Sequence, residues 1–349
     1  MIALCVSPSR VYAFKFDSTL TEGCHEKITV EALSRAGWPD ERQAPALGGE
    51  DRLIARDLPC KVPGSKDNPW TLSLVIGVRW NDLHGHEAAD LPALAKVHGD
   101  PHAQHEHCLR GRDDDGLEGD VQALGNCQRY ILEHVDAALG EEDVIDLEAR
   151  TTAAVALSFQ GTVGLPLQRY GFEVGRALHA LQDSFSHALR SPDGMRVRHV
   201  LNFTDITHDS DYREARDGHE HIEGLDLCAG SDARRKRRSL ATAASEELLA
   251  ALAQPGRDHA ARRRAAQEVV ERWLRYEPGC SIENRYCDAT ELDEPAAGCS
   301  VVAPGRRRAP PPSGALLCVL VGLCVRFRRA RRAGAASACA FAVVCALYP

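Results

Sequence analysis

His179, Asp183 and His187 recur at four-residue intervals inside the run Leu178-His179-Ala180-Leu181-Gln182-Asp183-Ser184-Phe185-Ser186-His187. Side chains four apart on a helix share one face, so this spacing predicts a ladder of two imidazoles and a carboxylate on one side of a helix. Neutral imidazole and carboxylate suit zinc or a similar divalent ion, and an aspartate with two oxygens can bridge two such ions. The competing reading is a set of buried polar residues with ordinary hydrogen-bond partners.

The remaining histidines weigh against that alternative, because the 15 in the chain are clustered. Six fall between His84 and His107: two in Asn81-Asp82-Leu83-His84-Gly85-His86, then His98, then three in Asp100-Pro101-His102-Ala103-Gln104-His105-Glu106-His107. A solvated histidine-rich loop is the other explanation for any one of them. His25 stands in Cys24-His25-Glu26-Lys27-Ile28-Thr29, where Glu26 reads equally as a surface or capping residue and as a proton carrier. A later segment offers His219 with Glu223, one helical turn apart, or alternatively His221 with Asp226. His134 lies on an amphipathic stripe and reads as structural.

The elements needed to hold these groups are helical. Val121, Leu124, Ile131, Leu132, Val135 and Leu139 repeat with helical periodicity, a further helix is expected through Leu147 to Phe159, and the metal helix is expected from Gln168 to Leu189. Gly161 to Pro166 reads as a loop. Arg234 to Arg238 and the helices from Ser239 to Tyr276 read as a solvated basic face and a scaffold. The expected class is all-α, a single multi-helix domain around a metal cluster, followed by a short apolar and Arg-rich C-terminal tail.

The formal charge of −8 conceals an asymmetry. Residues 300–349 hold eight arginines and no acid, which leaves 34 basic against 50 acidic residues, or −16, for positions 1–299. A body this acidic does not bind polyanions by general electrostatics, which makes nucleic acid an unfavoured partner, whereas bound divalent cations would reverse the local field for a phosphate. Thirteen cysteines without paired CxxC spacing favour secretion with disulfides over a reduced compartment. Cys280 and Cys287 flank a segment suited to a local disulfide hairpin; Cys24, Cys60, Cys108, Cys127 and Cys228 leave their pairing open.

At the start, Met1 to Val6 is apolar and Val11-Tyr12-Ala13 resembles the end of a cleavage site, so residues 1–13 are expected to be the remnant of a signal peptide with mature protein from Phe14. The helical domain is expected over 14–290. Residues 291–314 read as a linker, with Cys299 as a processing and lipid-attachment point. Residues 315–349 form an apolar and Arg-rich tail that resembles the C-terminal sorting tails of myxobacterial surface proteins. That resemblance implies a sorting protease and a membrane as partners, and a secreted, cell-surface or outer-membrane location.

Taken in order, Cys24-His25-Glu26-Lys27-Ile28-Thr29, the His179/Asp183/His187 helix and the later His219/Glu223 pair resemble the zinc-dependent phospholipase C and single-strand-specific nuclease superfamily. The resemblance covers residues 14–230. It implies an all-helical fold holding two or three zinc ions, with metal ligands His25, Asp82, His107, His179, Asp183, His187, His219 and Glu223, and His105 as the nearest alternative to His107. Asp82 and Asp183 would be the catalytic carboxylates, and the α-amine of Phe14 would complete the ion shared by His25 and Asp183. The implied activity is hydrolysis of phosphodiesters, with phospholipid head groups favoured over nucleic acid and a metal-bound hydroxide as nucleophile. The chain departs from the pattern in the position of His187 and in the gap from His187 to His219. A non-enzymatic surface protein with a metal-stabilised fold, or one that merely stores metal, is the reading from another class.

Overall fold

The computed structural model describes residues 23–36, 48–57, 68–140, 145–157, 160–203, 212–253 and 258–293, with two further two-residue strands near the C-terminus. Residues 1–298 make one compact unit and residues 299–349 a second. In the second, the described residues are strands Leu320–Val321 and Ala342–Val343, paired antiparallel. Residues 1–13, Phe14, Trp38, Cys60 and Cys299 lie outside the described residues, as does most of the tail.

The body is mainly helical. Its principal helices are α1 (Cys24–Ala36), α2 (Gly49–Asp57), α3 (Pro69–Leu83), α4 (Leu91–His98), α5 (Gly116–Leu139), α6 (Arg169–Asp183), α7 (Asp232–Ala253) and α8 (His259–Trp273). Several starts are set by local chemistry. Asn68 caps α3 by accepting from the backbone N–H of Trp70 and Thr71, with Pro69 at the first helical position, where its missing N–H costs nothing. Asp90 and Asp258 cap α4 and α8 in the same way.

The centre of the body is the crossing of α3 and α6, and glycine makes it close. A Cβ on Gly77 would fall 2.1 Å from the carbonyl oxygen of Phe172, and one on Gly175 would fall 2.2 Å from that of Leu74. The two backbones therefore touch, which brings the carboxyl end of α3 against the middle of α6. Around this crossing, Leu74, Val78, Ile131, Val174, Leu178, Leu181, Leu248 and Val270 belong to one buried core.

Two expectations from periodicity are corrected. The segment expected as a helix through Leu147 to Phe159 contains strand β1 (Arg150–Leu157), which pairs antiparallel with β2 (Gly161–Gln168), the expected loop. Ala153, Val155 and Leu157 alternate inward against a second small core with Leu72, Ile76 and Phe172, so a two-residue period prevails. The metal helix ends at Asp183 rather than Leu189. The Ser184 and Ser186 hydroxyls donate to the carbonyls of Leu181 and Asp183, satisfying groups a continuing helix would use. The chain then enters β3 (Ala188–Arg190), paired with β4 (Val197–Val200).

Among the described residues, three cysteine pairs stand at disulfide distance. Cys24–Cys228 and Cys108–Cys127 have Cα atoms 5.8 and 5.0 Å apart, and Cys280–Cys287, the hairpin expected from sequence, 5.0 Å.

Candidate metal centre

Asp183, the last residue of α6, faces three histidines from different elements. Its Oδ2 lies 2.9 Å from His179 Nε2 and 2.9 Å from His107 Nδ1, while its Oδ1 lies 3.1 Å from His25 Nε2. His25 comes from the first turn of α1, His107 from a 3-10 turn at Gln104–His107, and all four side chains are buried.

Asp82, near the end of α3, makes the second part of the cluster. Its Oδ1 lies 3.8 Å from His179 Nε2 and 3.9 Å from both His107 Nδ1 and His98 Nε2. Such separations are too long for hydrogen bonds. Two ligand bonds of about 2.1 Å meeting at a tetrahedral angle hold their donor atoms about 3.4 Å apart, somewhat less than these separations, so a small inward movement of the side chains would close them on an ion. Both oxygens of Asp82 are buried with no hydrogen-bond partner among the described residues. A buried carboxylate left so is costly, and a divalent ion among these groups would satisfy it.

A third group forms where the chain leaves α6. His187 Nε2 lies 3.8 Å from Asp226 Oδ1, and His221 Nε2 lies 3.1 Å from the same oxygen. Among the described residues, three sets thus bring their ligand atoms within 4.8 Å of one another: His25, His179 and Asp183; Asp82, His107 and His179; His187, His221 and Asp226. The first two sets share His179, and Asp183 also reaches His107. These buried groups could hold metal ions.

The histidines are oriented by their second nitrogens. His179 Nδ1 is 2.7 Å from the carbonyl of Val78, which turns Nε2 toward the two aspartates. His187 Nδ1 is 2.5 Å from the carbonyl of His107, and its buried Nε2 has no hydrogen-bond partner among the described residues. His25 Nδ1 is 2.7 Å from Gln182 Oε1, and the Gln182 amide in turn donates to the hydroxyls of Thr29 and Ser245. Locking one ring nitrogen on an oxygen acceptor fixes the tautomer that presents the other to a metal.

Protonation follows from burial and neighbouring charge. Burial pulls His179 down to about 4 and His187 down to about 3, so both are neutral at physiological pH, the form that can bind a metal. Burial also opposes a charge on His25, yet the Asp183 carboxylate, helped by Asp82, raises it to about 9. Asp82 is pushed up to about 8, chiefly by burial. Asp183 is held well below the carboxylate range, because its histidine neighbours outweigh the burial that would raise it.

Of the residues expected from sequence, His25, Asp82, His107, His179 and Asp183 converge, and His187 joins the third group. His219 does not. Its Nδ1 engages the Glu220 carbonyl and its ring meets Tyr286 edge-on, while His221 turns inward in its place. The backbone N–H of His219 donates to His199 Nε2, which holds the segment in that register. The side chain of Glu223 lies outside the described residues. His105 packs against the Tyr130 ring, away from Asp82. Glu26 is neither surface nor cap: it is buried in an ion pair with Arg79, 2.6 Å away, tying α1 to α3 beside the ligands. Sequence reading missed His98, the last residue of α4, whose only signal was membership of the dense histidine cluster. His134 is structural as expected, bound to Glu173 at 2.6 Å.

No family model and no solved structure matches the chain. Hemolysin-1 of Aeromonas salmonicida is 29% identical to it over 176 residues, an alignment covering 45% of this chain and 28% of that protein. Among the described residues no helix is long and apolar enough to cross a membrane.

Proposed function

We propose that this chain is a secreted or surface-tethered zinc-dependent phosphodiester hydrolase of phospholipase C type. The observation that carries the reading is the sharing of ligands: His179 belongs to two metal-capable sets, and Asp183 reaches His25 with one oxygen and His107 and His179 with the other. His25, Asp82, His107, His179 and Asp183 would hold divalent ions, which when bound would supply positive charge for a phosphate and lower the pKa of a coordinated water toward neutrality. The chain's own residues contribute placement. Val78, Gln182 and the carbonyl of His107 orient the imidazoles, and the Arg79–Glu26 pair fixes the two helices that bear His25 and Asp82.

The motif order supports this reading, and so does the likeness to a protein named as a hemolysin, since cleavage of lipid head groups is one route to lysis. The three cysteine pairs support an oxidising location. The acidic body favours a lipid over a nucleic acid. Metal-loaded protein would be assayed on phosphatidylcholine vesicles and on single-stranded oligonucleotides, beside Asp183→Ala. Release of phosphorylated head group that disappears in the variant supports the reading. Cleavage of the oligonucleotide alone makes the protein a nuclease, and turnover of neither substrate by fully loaded protein overturns the hydrolase.

One observation favours a second reading, a surface protein whose ions only stabilise the fold. The ligands are almost wholly enclosed, with His25, Asp82, His179 and Asp183 each 0% exposed. Structural metal sites are closed in this way, whereas catalytic ones keep a position open. The test is whether metal removal abolishes folding while no loaded form hydrolyses either substrate.

A further inference from the structure

The segment Arg234 to Arg238, expected as a solvated basic face, is not uniformly solvated: Arg237 is 7% exposed. It lines a cavity of about 230 Å³ together with Arg190, Arg198, Lys236, Asp288 and Glu291. Four cations face two carboxylates there, in a body that carries −16 overall. The reversal of sign is local and comes from three separate parts of the chain.

Arg190 is the centre of it. Its guanidinium is buried and stacks on the Phe185 ring at 3.9 Å. Every N–H goes to a neutral oxygen: the carbonyl and hydroxyl of Ser184, the carbonyl of Gly194 and the carbonyl of Trp273. Burial pulls this arginine down to about 9, outweighing the Glu291 carboxylate, which acts to raise it. A buried charge whose hydrogen bonds are satisfied but whose charge is not paired sets up a field in the adjoining space. Lys236, exposed at the rim, bonds the carbonyl of Pro192 and has no carboxylate partner among the described residues. Arg198 spends Nε on Glu277 at 3.4 Å and Nη1 on the Cys287 carbonyl. The two acids stand on one wall, where Glu291 Oε1 accepts from the Arg190 backbone N–H at 3.4 Å.

We propose that this cavity binds a tetrahedral oxyanion of the phosphate type, with Lys236, Arg237 and Arg198 as its donors and Arg190 as the fixed source of field. The volume admits a phosphate with a small substituent. The ligand is therefore either inorganic phosphate or a phosphomonoester such as a free lipid head group. The Arg190 guanidinium also holds Ser184, the residue directly after Asp183, so the cavity wall adjoins the end of α6. The inference does not depend on the proposed hydrolysis.

The test uses metal-loaded protein titrated calorimetrically with sulfate, a tetrahedral dianion that is a poor zinc ligand, and with sn-glycerol 3-phosphate, at ionic strength held constant with chloride. Wild type is expected to bind one oxyanion and to melt several degrees higher with it. Lys236→Glu, an exposed helix position, and Arg198→Gln should each weaken binding by at least about tenfold with bound metal unchanged. Tighter binding of glycerol phosphate than of sulfate identifies a phosphomonoester site, and equal or weaker binding identifies a site for the free ion. The proposal is overturned if neither anion does more than chloride, or if both variants bind as wild type does.

Discussion

Asp183 and His25, from the end of α6 and the start of α1, meet with Oδ1 and Nε2 3.1 Å apart and no exposure to solvent. The contact joins candidate ligands from the first helix and the sixth, and it depends on Asp183 using its other oxygen for His179 and His107. Removing that carboxylate leaves three imidazoles facing one another. Asp183→Ala should therefore lose at least one ion, with apparent affinity falling by more than about 100-fold, beyond the loss expected for an outer-shell partner. Elemental analysis of the variant, with circular dichroism to verify folding, reads the outcome; full metal content in a folded variant contradicts a bridging role.

His98 makes a separate prediction. It ends α4 with Nε2 3.9 Å from Asp82 Oδ1 and its ring centroid 4.9 Å from that of His107. If it ligates the ion beside Asp82, His98→Ala weakens that ion alone by more than about 100-fold, whereas a partner outside the ligand shell would cost about 10–100-fold. The absorption spectrum of the cobalt-substituted protein should change with it. An unaltered spectrum and affinity would leave His98 a packing residue.

Only part of the centre was legible in the sequence, for physical reasons. His179 and Asp183 sit four apart on a real helix, so local periodicity suffices for them. His187 was found for a partly wrong reason, since it reaches its site from the turn after the helix, not along the helix face. His219 and His221 differ by two positions in an irregular segment, where no period decides which imidazole points inward. A backbone bond from His219 to His199 settles it, and that contact spans elements. The β1–β2 hairpin was hidden because an alanine-rich stretch fits a helix until the inward alternation of Ala153, Val155 and Leu157 is seen. The close crossing that brings Asp82 to His179 rests on Gly77 and Gly175, which carry no chemistry to notice.

Acidity and alkalinity should act in opposite directions on metal-free and metal-loaded protein. His25, raised to about 9 when folded, stabilises the metal-free fold fully below its unfolded value of 6.5 and loses that contribution as pH rises through 9. Asp82, raised to about 8, works in the same sense: its contribution is complete below 3.8 and gone above 8. With chelator present, the melting temperature should fall between pH 6.5 and 9. In the loaded protein, binding displaces these protons and strengthens with pH, so no such fall is expected. Calorimetric scans across the window, with zinc and with chelator, compare the two; parallel curves would refute the coupling.

The disulfides bear on the same centre. Cys24 precedes His25 directly, Cys108 follows His107 directly, and Cys228 lies two residues beyond Asp226. The Cys24–Cys228 pair therefore ties the ligand on α1 to the ligand that completes the His187 group, across a separation of 204 residues. Replacing both cysteines by serine should cost about 2–5 kcal/mol in denaturant unfolding of the metal-free protein, because closing so long a loop is no longer prepaid in the unfolded chain. The sharper consequence is for the ions: affinity at the His25 and His187 groups should drop together, while the Asp82 group, tied by Cys108–Cys127, keeps its metal. Graded chelation of the variant, with metal release followed ion by ion, separates these outcomes. Simultaneous release of every ion would mean that the cysteine pair supports the fold as a whole and not two particular ligands.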